Sequence, residues 1–145
     1  MDWKRLRYVP VVFLGVLGFM LVDYAIRGHK AEQKQVTIER RFGMISDPAA
    51  SSVIRSGHGF KTGDGYVTRI LRTNLAQDKV EAYYREELEK GEWFYFKEEV
   101  ILSHRRVLFC NGDDESIVVA LPEASVPKTY EYSLTLSWYL SHGCR

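Results

Sequence analysis

The residues able to do chemistry are scattered along the chain. His29, His58, His104 and His142 have neither the i,i+4 pairing nor the Cys-x-x-Cys neighbourhood that brings metal ligands together. No Gly-x-Ser-x-Gly turn is present to expose a serine nucleophile. The stretch from Gly57-His58-Gly59 to Gly63-Asp64-Gly65 carries Lys61-Thr62, as a phosphate loop does. Phe60, however, stands where such a loop needs glycine, and a strand follows instead of a helix, so no helix N-terminus reinforces an anion site. These glycines read as turn formers that permit positive φ, with His58, Lys61 and Asp64 as a secondary candidate binding surface.

Glu98-Glu99 and Asp113-Asp114-Glu115 are runs of carboxylates. General acid–base work needs a carboxyl whose pKa is shifted by burial or a neighbour, and nothing in the order of residues supplies that. Solvated loop charges are the plain reading. The sharper one makes Asp113, Asp114 and Glu115 an exposed acidic patch at a sheet end that steers a basic protein partner. No catalytic residue, metal ligand or cofactor site emerges, and the expectation is a non-enzymatic protein.

Cys110 ends one expected strand and Cys144 follows the last one. Neighbouring strand ends would bring them together, and an oxidising compartment would allow the bridge. A disulfide is expected; two separate reduced thiols are the alternative.

The chain has 145 residues, one domain's worth, and 46% of them are hydrophobic, a globular composition. Lys and Arg number 20 against 19 Asp and Glu, a net charge of +1, which argues against a nucleic-acid footprint.

Lys4, Arg5 and Arg7 precede an apolar run over residues 8–26, interrupted by Asp23. At about 1.5 Å per residue such a run approaches the thickness of the bilayer's hydrocarbon. Pro10 suits a first turn, and Trp3, Tyr8 and Tyr24 suit the membrane interfaces. A cleaved signal peptide lacks its small-x-small site here, and a core helix would be apolar on every side. The expected organisation is a cytoplasmic tail (1–7), a single transmembrane anchor (8–26), a polar stalk or linker (27–50) and an extracytoplasmic domain (51–145). The positive residues after the span, Arg27, Lys30, Lys34, Arg40 and Arg41, do not favour this orientation. The short basic start, which resembles an export signal, does.

The domain reads as α+β. Residues 52–55 and 66–73 form short strands around the glycine-rich loop. Asn74 is the expected helix cap with Gln77 as capping-box partner, and Ala76, Val80, Tyr83, Tyr84 and Leu88 share one face. Gly91 ends that helix. Strands follow at 93–102, 105–110 and 116–121, with Asn111-Gly112 as a turn and 122–127 as a loop. Tyr130, Tyr132, Leu134, Leu136, Trp138 and Leu140 alternate with polar or amphipathic residues, the pattern of a half-buried strand. A mainly antiparallel sheet with one packed helix satisfies all of these.

Tyr83-Tyr84-Arg85, Leu88, Gly91 and Trp93 carry a resemblance. In small bacterial envelope proteins a helix with Tyr-Tyr-Arg or Phe-Tyr-Arg and a Leu leads through Gly to Trp and a strand; here Glu92 intervenes before Trp93. The likeness spans residues 66–144. Such domains occur in uncharacterised lipoproteins and in some toxin-immunity proteins, and they supply no catalytic residue. The basic start, the apolar span and the missing cleavage site give the expectation of a single-pass inner-membrane protein with its domain in the periplasm or otherwise outside the cytoplasm. Lipid would be met through the N-terminal helix, and the protein partner would be a toxin or an envelope-complex subunit. Neutralising an envelope-active toxin is the leading expectation; an accessory role in an envelope or secretion assembly is the alternative.

Overall fold

Ala31, Gln35, Ile38 and Phe42 recur at intervals of four, three and four, one stripe of a helix, and all four are buried. They belong to α1 (Val9–Gly43), a 35-residue helix in the computed structural model of the chain. The structure describes residues 9–61, 63–123, 128–139 and 144, with side chains from residue 16 onward. The expected cytoplasmic tail, most of the 122–127 loop, Leu140 and His142 lie outside the described residues. The stretch expected to be a stalk is therefore the inner half of α1, and it is part of the core. The outer half contrasts with it: Phe19, Met20, Leu21 and Val22 are exposed, Phe19 to 75%. Among the described residues, no helix is long and apolar enough to cross a membrane. Of the residues expected to span, 9–15 are described as helix without side chains.

After α1 come β1 (Ser51–Phe60), β2 (Asp64–Thr73), α2 (Gln77–Glu89), β3 (Phe94–Ile101), β4 (His104–Asn111), β5 (Glu115–Pro122) and β6 (Tyr130–Tyr139). The six strands form one sheet in the order β1-β2-β6-β5-β4-β3, with every neighbouring pair antiparallel. The fold is thus α+β, with two helices on the sheet where one was expected. Both pack on the same side, because Val80, Tyr84 and Leu88 of α2 join the α1 stripe in one core with Phe109, Ile117, Leu134 and Trp138. The alternation of β6 holds: Tyr130, Tyr132, Leu134, Leu136 and Trp138 are buried, while Ser133, Thr135 and Ser137 face the other side half-buried.

Three local expectations need correction. Gly57, His58 and Gly59 lie within β1, and Asp64 and Gly65 within β2, so the glycine-rich loop shrinks to a hairpin tip closed by the Lys61 N–H donating to the Asp64 carbonyl at 2.7 Å. Gly65 is small for a packing reason. A Cβ there would collide with the Trp138 indole and come within 2.6 Å of Gln35 Oε1. At α2, Ala76 is the N-cap and provides no side-chain bond; Gln77 Nε2 instead donates to the Pro122 carbonyl at 2.8 Å. Beyond α2 the left-handed residue is Glu92 (φ 64°), not Gly91, and the Trp93 N–H returns to the Leu88 carbonyl at 3.1 Å. The inserted Glu92 thus takes the turn that seats Trp93 in the core.

The C-terminus of α1 is held by Arg69 of β2. Its guanidinium donates to the carbonyls of Phe42 (3.1 Å) and Ile45 (2.9 Å), pairs with Asp47 (2.9 Å) and lies over the Phe42 ring. A cation that satisfies free carbonyls opposes the negative end of the helix dipole. Asp47 also accepts from the Tyr84 hydroxyl at 2.9 Å, which joins both helices to one polar network. The Cys110–Cys144 disulfide is formed, with Cα atoms 6.1 Å apart.

Candidate functional site

The acidic loop is built by the β4–β5 hairpin. Gly112 takes positive φ (64°), as an Asn-Gly turn allows, and the chain returns through Asp113 and Asp114 to Glu115 at the start of β5. Glu115 was expected to be exposed, but its side chain keeps only 6% of its accessibility. It faces α1, where Lys34 and Arg41 stand seven residues apart on the docked side. Lys34 Nζ donates to Glu115 Oε1 at 2.6 Å and to Asp114 Oδ2 at 3.0 Å, and Arg41 pairs with the other Glu115 oxygen. Burial works against the Lys34 charge, yet its bonds to Glu115 and Asp114 outweigh that and hold its pKa above the ordinary lysine value. Asp113 and Asp114 also accept at their backbones: Cys144 N–H meets the Asp113 carbonyl at 3.3 Å and Tyr139 N–H the Asp114 carbonyl at 2.8 Å. The loop is a junction of α1, β5, β6 and the disulfide-linked tail. Its counter-charge is intramolecular, so the picture of an exposed acidic patch awaiting a basic partner does not hold for Glu115.

His58, Lys61 and Asp64 share the β1–β2 hairpin without converging on one point. His58 is exposed with Nδ1 3.5 Å from Glu39 of α1, whereas Lys61 and Asp64 flank the hairpin tip. Asp64 stands level with Tyr139 of β6 and borders a shallow depression of about 280 Å³ with Tyr66 and Thr135.

That depression opens onto the sheet face away from the helices. There Ser116, Ser133, Thr135 and Ser137 form hydroxyl rows across β5 and β6, floored by Val118 and Leu108. Lys97, Glu99 and Arg106 border this second depression, which measures about 350 Å³. The Thr68 and Thr135 hydroxyls meet at 2.7 Å across β2 and β6. A third cleft of about 380 Å³ lies between the ends of α1 and α2, bordered by Arg41, Glu87, Lys90 and Trp93. Hydroxyls with a few charges offer hydrogen bonds and orientation to a bound surface. Among the described residues, no group of three or more His, Cys, Asp and Glu could hold a metal ion. His29 bonds Gln33 at 3.0 Å and His104 bonds the Leu102 carbonyl at 2.9 Å, so neither is aimed at a nucleophile.

The sequence reading missed Lys34 and Arg41 as partners of the acidic loop, because they sit 81 and 74 residues before Glu115. The hydroxyl rows were visible as the polar half of the β6 alternation. No protein-family model, curated protein or solved structure matches this chain.

Proposed function

We propose that this chain is a membrane-tethered, non-enzymatic module that binds another protein on the outer side of the bacterial inner membrane. The observation that carries the reading is the two-sided use of α1. One unbroken helix exposes Val16, Phe19, Met20, Leu21 and Val22, then buries Ala31, Gln35, Ile38 and Phe42 in the domain. An apolar stretch that packs on nothing in its own domain costs free energy in water, and lipid is the solvent that removes that cost. Because the helix continues into the core, the anchor and the domain are joined rigidly, and the open sheet face is held at a fixed height. The disulfide agrees with an oxidising compartment.

The reading favoured for the bound protein is an envelope-active toxin that the module neutralises, as the Tyr-Tyr-Arg to Trp resemblance suggests. The rigid helix-to-domain joint favours a second reading, an accessory subunit held in register within an envelope assembly. The test is a topology and capture experiment. Reporter fusions to the C-terminus should be active outside the cytoplasm, and crosslinking from Ser133→Cys on the open face should trap an envelope protein or a toxin. A cytoplasmic reporter signal would overturn the topology. Trapping of neither class would overturn the binding role.

A further inference from the structure

The edge strand β3 and the turn after it read Phe94-Tyr95-Phe96-Lys97-Glu98-Glu99-Val100-Ile101-Leu102, an order nearly self-complementary about Glu98. β3 pairs only with β4, so its outer row of backbone N–H and C=O groups has no strand partner among the described residues. Its apolar side chains are exposed on both flanks: Phe94, Tyr95 and Phe96 before the charges, Val100, Ile101 and Leu102 after them, Leu102 to 89%. An exposed apolar edge is a template for another strand.

We infer that β3 is an interface for a second copy of this chain, two β3 strands pairing antiparallel about Glu98. In that register Lys97 of each copy stands opposite Glu99 of the other, on the same sheet face, because directly opposed residues share a face. Beyond the central charges the apolar flanks approach each other, Phe94, Tyr95 and Phe96 of one copy lying toward Val100 and Ile101 of the other, with the exposed Leu102 at the turn beside them. Glu98 meets its own symmetry mate, and in each copy Arg105 lies 3.2 Å from Glu98 to offset the like charges. Shifting the register by one residue sets Glu98 against Glu99 in one direction and Phe96 against Glu99, with Lys97 against Glu98, in the other, and either slip opposes residues that belong to opposite faces of the sheet. The bulge between Tyr95 and Lys97 and the three central charges are also devices that protect an edge from indiscriminate pairing. Their order makes that protection selective for a copy of the same strand. β1, the other edge, carries Gly57, His58 and Gly59 and has no such symmetry.

Within one chain Lys97 and Glu99 already meet at 2.9 Å, and Arg106 stands 3.4 Å from Glu99, so dimer formation exchanges surface pairs for cross-strand ones. The charges therefore select the register, while the backbone ladder and the apolar flanks supply the attraction. One strand pair is a small interface, and the dimer forms in the micromolar range or weaker.

Analytical ultracentrifugation of the full chain in detergent, from micromolar to sub-millimolar concentration, tests this directly. Wild type should dimerise. Lys97→Glu opposes glutamate to glutamate, Glu99→Lys opposes lysine to lysine, and each should weaken dimerisation at least tenfold. Mixing the two variants should restore it, because each copy then offers the charge the other lacks. The double variant Lys97→Glu with Glu99→Lys should dimerise like wild type. A wild-type monomer throughout the range would overturn the proposal. So would a dimer indifferent to both single variants, which would place the contact elsewhere, on α1 or on another edge. Far-ultraviolet circular dichroism checks that each variant is folded, and recovery on mixing separates charge matching from simple damage.

Discussion

Lys34 of α1 and Glu115 of β5 meet at 2.6 Å across 81 residues of sequence. With Arg41 on the other Glu115 oxygen, this contact fastens the inner half of the helix to the β4–β5 hairpin. Glu115 is deeply buried, whereas Lys34 and Arg41 keep part of their access to water. Removing the acid therefore leaves two cations that can rehydrate only in part. Glu115→Gln should cost about 2–3 kcal/mol of stability. Lys34→Met should cost less, since Arg41 still serves Glu115. Urea denaturation of the two variants compares them, and an equal or reversed order would show that the pairs do not organise the junction.

Gly65 is a second point of close fit. Trp138 Nε1 donates to Gln35 Oε1 at 2.9 Å directly over it, which leaves no room for a methyl group. Gly65→Ala should displace that bond and cost about 2–3 kcal/mol. Gly57→Ala is the control, because its Cβ would lie an ordinary 3.6 Å from the Thr68 methyl. Tryptophan fluorescence should report the displaced indole in the first variant and not in the second.

High pH should loosen the same core. Burial, then the Tyr132 neighbour and the Asp47 carboxylate, hold the Tyr84 pKa far above the ordinary value of 10.0. Tyr132 and Tyr130 are also raised, chiefly by burial. A group with a raised folded pKa contributes stability that is complete below its unfolded pKa and is lost as pH climbs toward the folded one. The loss should open near pH 10, with Lys34 adding to it from its unfolded value of 10.5 upward. Tyr84→Phe should flatten the fall, although it gives up the 2.9 Å bond to Asp47 at neutral pH. A stability profile unchanged from neutral to pH 11 would contradict this assignment.

The disulfide closes a separation of 34 residues. Loop-closure entropy gives such a bridge a stabilising effect of about 3 to 4 kcal/mol. Cys110→Ser with Cys144→Ser should lower the denaturation free energy by that order. A non-reduced digest should contain the linked peptide; two alkylated thiols in unreduced protein would refute the bridge and weaken the oxidising-compartment argument with it.

What could be read from the sequence follows the range of each interaction. The alternation from Tyr130 to Trp138 and the Val80, Tyr84, Leu88 spacing are local patterns, and both packed as their periodicity implies. The α1 stripe has the same periodicity, but its members include a small Ala31 and a polar Gln35 among Lys, Arg and Glu, so composition masked it as a stalk. Gln35 is at home there because Trp138 lies 103 residues away and donates to it. Glu115 looked exposed for a similar reason: its cations are remote in sequence. The glycine-rich stretch mixed two meanings, a turn at its tip and a close approach at Gly65, and only the tertiary neighbour separates them.

In the proposed anchoring, α1 meets two environments at once, lipid along its outer half and the domain core along its inner half. Depth-dependent fluorescence quenching tests it most directly. Phe19→Cys and Thr37→Cys, each labelled with a polarity-sensitive maleimide on the oxidised full chain in lipid vesicles, place one probe on each half; both positions are exposed in the chain itself. The account predicts that doxyl-labelled acyl chains quench the Phe19 probe, with a blue-shifted emission, while the Thr37 probe stays water-like and unquenched. A Phe19 probe that is unquenched and water-like in vesicles would contradict it.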